Sequence, residues 1–148
     1  MKRIISLFML SFALILGVKA NDDRPIPVEQ LPEPAKELLS KYFAHEKIVV
    51  VKQDKDFFDK DYTVIFQNGN KVKFDKKGNW EEIDCEKSVV PTAFIPEQIM
   101  SYLNSNYPNK KITQIEKKKE RNKSYEIELD NVMELTFDKN FVVIYIDL

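Results

Sequence analysis

The sequence has one cysteine, one histidine and only three glycines among its 148 residues. Because Cys85 has no partner, an internal disulfide is excluded, and the thiol is interpreted as a buried or half-buried small residue rather than a nucleophile. The only histidine, His45, is interpreted as a residue at a helix end, where its charged form suits the helix dipole. Nucleophile-elbow, phosphate-loop and zinc-protease motifs are also missing. These absences predict a protein that is not an enzyme, with no catalytic residues and no cofactor.

Only one long apolar run occurs, at residues 4–18, after Lys2 and Arg3 and before the small-residue pattern that ends at Ala20. This is the pattern of a signal peptide at residues 1–20, cut after Ala20 and followed by a mobile tail at 21–25. The run is shorter than the ~20 residues that cross a bilayer. The sequence therefore predicts a periplasmic or secreted protein with no membrane span after cleavage.

An excess of positive charge is also missing. Residues 1–20 hold three of the 23 basic residues and none of the 24 acidic ones, so cleavage changes the net charge from −1 to −4. A nucleic-acid-binding protein would be expected to carry a basic stripe. The composition therefore predicts no nucleic-acid partner.

What the sequence does contain is an internal repeat. The proline-flanked segment 26–32 recurs at 90–96, and the pattern Tyr62, Val64, Phe66 recurs sixty-three residues later. A fixed period of this kind indicates two copies of one unit. We predict repeat 1 at residues 26–84, a linker at 85–89 and repeat 2 at 90–148.

Each predicted unit is a helix followed by four strands. Apolar residues at helical spacing follow Pro32 and Pro96, whereas the segments after them alternate between apolar and polar residues. The fold class is therefore α+β, with two tandem helix-plus-four-stranded antiparallel sheet repeats. Only the last strand, 141–146, is apolar on both faces. It is expected either to be buried between the units or to lie at a sheet edge, where it could form an edge-strand dimer.

A set of turn and core residues runs through both units: Gly78-Asn79-Trp80, Ile83-Asp84, Val90-Pro91, Ile95-Pro96, Tyr107-Pro108, the strand 125–129 and Phe137-Asp138. These residues resemble those of the PepSY-like family of β-lactamase-inhibitor-like exported proteins. The resemblance implies a tandem helix-plus-sheet module outside the cytoplasm, similar in layout to the β-lactamase inhibitor protein. It does not imply inhibition of β-lactamase, because neither the disulfides nor the inhibitory loop residues of that inhibitor are matched.

The predicted tip of the first hairpin, residues 54–61, carries four carboxylates interleaved with lysines. Their spacing does not fit an EF-hand, so we predict a solvated tip rather than a metal site, with adventitious Ca²⁺ binding as the alternative. The same tip carries Phe57 and Phe58. These rings are either part of the local core or an exposed aromatic hot spot for binding.

The equivalent tip of the second unit is basic, with Lys117, Lys118, Lys119 and Arg121. Together with Phe57, Phe58 and Trp80, these residues are the candidate binding residues, because oppositely charged tips could contact a protein partner. We therefore predict an exported, non-catalytic protein-binding or inhibitory module whose partner is unidentified. The alternative is a periplasmic carrier of a small ligand or cation in a groove between the repeats.

Overall fold

The computed structural model describes residues 23–55 and 59–148. The predicted signal peptide, Phe57 and Phe58 lie outside the described residues. The elements are β1 (Arg24–Ile26), α1 (Glu33–Tyr42), β2 (Ile48–Lys55), β3 (Lys60–Phe66), β4 (Lys71–Phe74), β5 (Trp80–Asp84), α2 (Glu97–Asn106), β6 (Ile112–Lys117), β7 (Tyr125–Leu129), β8 (Met133–Phe137) and β9 (Val143–Asp147).

Both helices begin directly after a proline. Pro32 and Pro96 have extended backbone angles, so each ends the preceding segment and lets the helix start at the next residue. Each helix turns one apolar stripe to the sheet, with Ala35 and Leu39 fully covered in α1. Neither helix is long and apolar enough to cross a bilayer within the described part of the chain.

All nine strands form one antiparallel sheet in the order of the sequence. The two halves join where β5 pairs with β6, with Ile83 opposite Ile115. Two helices and an antiparallel sheet confirm the α+β class. The finer division into two four-stranded units stays a prediction, because the strands form a continuous sheet.

The first strand, β1, is absent from the sequence prediction, which gave residues 21–25 to a mobile tail. Arg24 and Pro25 instead pair with Gln53 and Lys52 of β2. The Arg24 guanidinium also donates a hydrogen bond to Gln53 Oε1 at 2.8 Å. Pro25 and Pro27 favour an extended backbone, but the pairing with β2 joins residues far apart in the chain, so local sequence could not reveal the strand.

The core lies between the helices and one face of the sheet. A ring from the second half, Phe94, fills the space beside α1: its centroid is 4.7 Å from that of Tyr42 and 5.6 Å from that of Trp80. The two halves therefore share one core. Residues that are fully buried on the helix-facing side of the sheet include Val64, Val72, Phe74, Ile83, Ile115, Ile127, Leu135 and Phe137.

Two turns sixty-three residues apart are built alike. Asp75 Oδ1 accepts hydrogen bonds from the backbone N–H groups of Lys77 and Asn79, and Asp138 Oδ1 does so from the residues at equivalent positions. The left-handed position is Gly78 in the first turn, with φ +85°, and Phe141 in the second, with φ +61°. The second turn therefore holds a bulky residue in a conformation that favours glycine.

Candidate functional site

The two faces of the sheet differ in chemistry. The helices cover one face, and we call the opposite face the charged sheet face. On it Lys73, Glu82, Glu116 and Glu126 lie side by side on four successive strands, β4 to β7. Three neighbouring carboxylates would repel one another if they were left alone.

Lys118 neutralises much of this acidic row. Its Nζ lies 3.1 Å from Glu116 Oε2 and 3.2 Å from Glu126 Oε2, so one ammonium bridges two strands. Burial would lower the pKa of Lys118, but the hydrogen bonds with these carboxylates outweigh it and raise that pKa. The side chains of Lys118 and Glu126 are only 16% and 19% exposed. The charges are therefore held in fixed positions on an otherwise open face.

A charged groove of about 390 Å³ lies beside this row and is lined from both halves of the chain. Lys119 forms an ion pair with Glu81 across it. The hydrogen bond with Glu81 is the main cause of a raised pKa for Lys119. The groove is lined by Asp61, Lys73, Glu81, Glu82, Glu116, Lys117, Lys118, Lys119 and Glu120.

At the end of β6, Lys117 lies over the ring of Trp80. Its Nζ is 3.8 Å from the ring centroid, which is a cation–π contact. Burial lowers the pKa of this lysine, because the charged form loses water contacts. Trp80 itself is half-buried, with its other contact to Phe94 in the core.

Asp61 is a groove carboxylate whose negative charge is poorly compensated by hydrogen bonds. Its Oδ1 atom is buried and has no hydrogen-bond partner among the described residues. Burial and the nearby charges of Glu81 and Asp59 raise the pKa of Asp61. Within residues 23–55 and 59–148, no three Asp, Glu, His or Cys side chains are placed to hold one metal ion.

The structure brings some of the predicted binding residues together and separates others. Lys117, Lys118 and Lys119 line the charged groove, and Trp80 adjoins it through its cation–π contact with Lys117. Arg121 is exposed and lines a different cleft, beside Asp138 and Asn140. Sequence reasoning missed the acidic residues that contact these lysines. The available signal was the alternation of the strands, which places their polar residues on the face away from the helices. The missed residues are Glu81, Glu82, Glu116 and Glu126.

The candidates for catalysis lie apart from this groove. His45 is exposed in the loop after α1. Cys85 is buried, and burial is the main cause that raises the pKa of its thiol to about 11. A thiol that keeps its proton at neutral pH is a poor nucleophile.

The last strand, β9, lies at the edge of the sheet rather than between the halves. Apart from Asp147 at its end, its exposed side chains are apolar on both faces, with Ile144, Tyr145 and Ile146 each between 44% and 56% exposed. Exposed contiguous apolar surface is characteristic of contact sites. Of the two sequence expectations for this strand, the edge position is the observed one.

The sequence of the chain matches the model of one protein family. The family model described as "Putative beta-lactamase-inhibitor-like, PepSY-like" matches residues 18–59 and 60–145. The chain belongs to this family. The match confirms the resemblance in the turn and core residues. None of the curated proteins compared with the chain matches it.

Solved structures of similar proteins agree with the family assignment. A "putative calcium-regulated periplasmic protein" from Bacteroides thetaiotaomicron is 46% identical, with a TM-score of 0.80 over 87% of this chain and 99% of that one. A "putative periplasmic protein" from Bacteroides vulgatus is 44% identical, with the same TM-score and coverage. A third, also from Bacteroides vulgatus and of unknown function, is 34% identical, with a TM-score of 0.77 over 85% of this chain and 99% of that one. The structural neighbours are thus described as periplasmic proteins.

Proposed function

We propose that this chain is an exported, non-catalytic protein-binding or inhibitory module built from two tandem helix-plus-sheet units. Its contact surface is the charged sheet face with the charged groove. The observation that carries this proposal is the bridge from Lys118 to Glu116 and Glu126, which fixes charges on the face of the sheet opposite to α1 and α2. Fixed charges give a partner an electrostatic pattern to match without loss of side-chain freedom on binding.

The chemistry of the described residues supports a binding role over catalysis. The exposed His45 ring has no nucleophile or carboxylate hydrogen-bonded to it among the described residues. The only thiol is buried, and its raised pKa keeps it protonated. Nucleophilic catalysis needs a nucleophile and a base within hydrogen-bonding distance of each other.

Export is supported by two independent observations. The N-terminal segment has the charged, apolar and small-residue regions of a signal peptide. The similar structures are described as periplasmic proteins. A partner should therefore be sought among exported or envelope proteins.

The test is capture of a partner from periplasmic extract of the source bacterium by the immobilised, processed protein. The binding variant is Lys118→Gln with Lys119→Gln, which removes two charges from the charged sheet face. The matched control is Lys36→Gln with Lys41→Gln, which removes two charges from α1 on the other side of the sheet. Urea midpoints of all three proteins establish that they are folded.

We expect the wild type and the α1 control to recover the same protein at near-stoichiometric level. The binding variant should lose at least about tenfold in affinity for that purified protein, which corresponds to about 1.4 kcal/mol. Affinity should also fall with added salt, because salt screens charges at the rim of a contact. Equal affinities for both variants, or no near-stoichiometric partner, would refute the proposal.

The alternative is a carrier of a small ligand or cation in a groove between the units. In its favour, the charged groove is lined from both halves, and one similar protein is described as calcium-regulated. Against it, four lysines line the same groove and neutralise its carboxylates. Calorimetric titration with Ca²⁺ distinguishes the two: saturable uptake that Asp61→Asn abolishes would favour the carrier, and no heat of binding would eliminate a calcium carrier.

A further inference from the structure

The two edges of the nine-stranded sheet are protected very differently. At one edge, β1 has only three residues and contains Arg24 and Pro25. Proline has no N–H to donate, and a short, charged edge strand resists pairing with another chain. At the other edge, residues 142–146 contain no charge, glycine or proline. This second edge has only two of the features that usually prevent strand addition, the charged Asp147 at the end of β9 and a register shift at its start.

The equivalent pair of strands in the first half, β4 and β5, shows which neighbour β9 lacks. Strand β5 pairs with β4 in the same register as β9 pairs with β8, with Ile83 opposite Val72 and Ile146 opposite Leu135. Both pairs also have a register shift at the same place. The local construction of the two hairpins is therefore the same.

Their burial is not the same. Ile83 is fully buried, whereas Ile146, which holds the equivalent position, is 44% exposed. One difference is that β6 pairs with β5 and places Ile115 next to Ile83, whereas β9 pairs only with β8 among the described residues. A strand added to β9 would cover Ile146 in the way that β6 covers Ile83.

We infer that a second copy of this chain supplies that strand, by antiparallel pairing of β9 with β9 across a two-fold axis. The apolar stretch is self-complementary, because no like charges face each other when residues 142–146 pair with themselves. Head-to-tail pairing with the other edge is disfavoured by Pro25 in β1. Antiparallel pairing puts the helices of both copies on the same side of one continuous sheet.

The dimer does not depend on the partner proposed above, because it is a property of the purified protein. It also leaves the charged sheet face open, since the pairing uses only the edge. The two proposals can therefore fail independently. Capture of a partner tests the charged sheet face, and the molar mass in solution tests pairing through β9.

The experiment is sedimentation equilibrium of the processed protein over about a hundredfold range of concentration, since mass action makes association depend on concentration. The test variant is Ile144→Lys, which places a charge on the edge. The matched control is Val132→Lys, at an apolar position that is 69% exposed in the turn between β7 and β8. We expect a dimer mass for wild type and control, and at least a tenfold weaker association for Ile144→Lys.

A second measurement keeps the inference testable if Ile144→Lys fails to fold. Ile144→Cys should form a disulfide-linked dimer under mild oxidation, because residue 144 is the centre of the paired stretch 142–146 and its two copies would face each other at the two-fold axis. Val132→Cys should not, and the buried Cys85 should not contribute. A monomer at every concentration, equal association of both lysine variants, or equal cross-linking of both cysteine variants would overturn the inference.

Discussion

Replacement of Gly78 by alanine tests how the turn after β4 packs on α1. Gly78 has φ +85°, and a Cβ atom there would lie 2.8 Å from Pro32 Cβ and 3.0 Å from the backbone nitrogen of Ala35. Both neighbours belong to the start of α1, and one is backbone that cannot rotate away. The turn and the helix therefore approach too closely for any side chain.

Gly69 provides the matched control. It has a similar φ of +93°, but a Cβ atom there would have no neighbour within 4 Å. Gly69→Ala should cost only the left-handed strain, about 1–2 kcal/mol. Gly78→Ala should cost that strain and a further ~1–3 kcal/mol for the clash. The expected total of about 2–5 kcal/mol is a large part of the ~5–15 kcal/mol by which domains are stable.

The assay is equilibrium unfolding in urea, followed by the fluorescence of Trp80 and by far-ultraviolet circular dichroism. Trp80 is the only tryptophan and packs against Phe94 in the shared core, so its signal reports loss of tertiary structure. Coincident transitions with equal slopes allow the two free energies of unfolding to be compared.

The expected result is that Gly78→Ala loses more stability than Gly69→Ala by at least about 1 kcal/mol. Equal losses would mean that the turn does not press against α1 and would refute this account of the contact. A loss at Gly69 larger than at Gly78 would refute it more strongly, because strain alone would then exceed strain with a clash.

Two further predictions concern Phe141 and Cys85. The free energy of unfolding of Phe141→Ala should be about 1–2 kcal/mol lower than that of Phe141→Gly in urea titrations. Both variants lose the stacking on Tyr125, but only glycine relieves the left-handed strain. A more stable alanine variant would contradict this. Cys85 should resist alkylation until unfolding. Because burial raises its pKa from 9.0 to about 11, the unfolded thiol ionises first and stability falls as pH rises through that interval. Cys85→Ala should remove the contribution of the thiol to this dependence and leave that of lysines with raised pKa values such as Lys118, and rapid alkylation of the folded protein would disprove burial.

Local patterns predicted the helices and most of the strands. The prolines at 32 and 96 fix where the helices start, and alternation marks the strands in each half, because both signals act within a few residues. The family resemblance also rested on turn and core residues that are visible in sequence.

The candidate site was predicted only in part, because it depends on register between distant strands. The sequence groups the basic residues 117–119 as candidate binding residues, but it does not show their ion pairs. Lys118 contacts Glu116 and Glu126, because β6 and β7 pair in a register that sets the two carboxylates side by side. No pattern within one strand gives that register.

By itself the sequence determined an α+β chain with apolar strands, a thiol without a disulfide partner and charged hairpin tips. Only the tertiary structure decided that β5 joins β6, that Lys118 folds back onto the acidic row and that β9 is left at an edge. The physical reason is that the apolar pattern of one strand does not specify which strands pair with it, although a central position would bury its side chains better than an edge. Pairing between residues far apart in the chain determines which of the two it becomes.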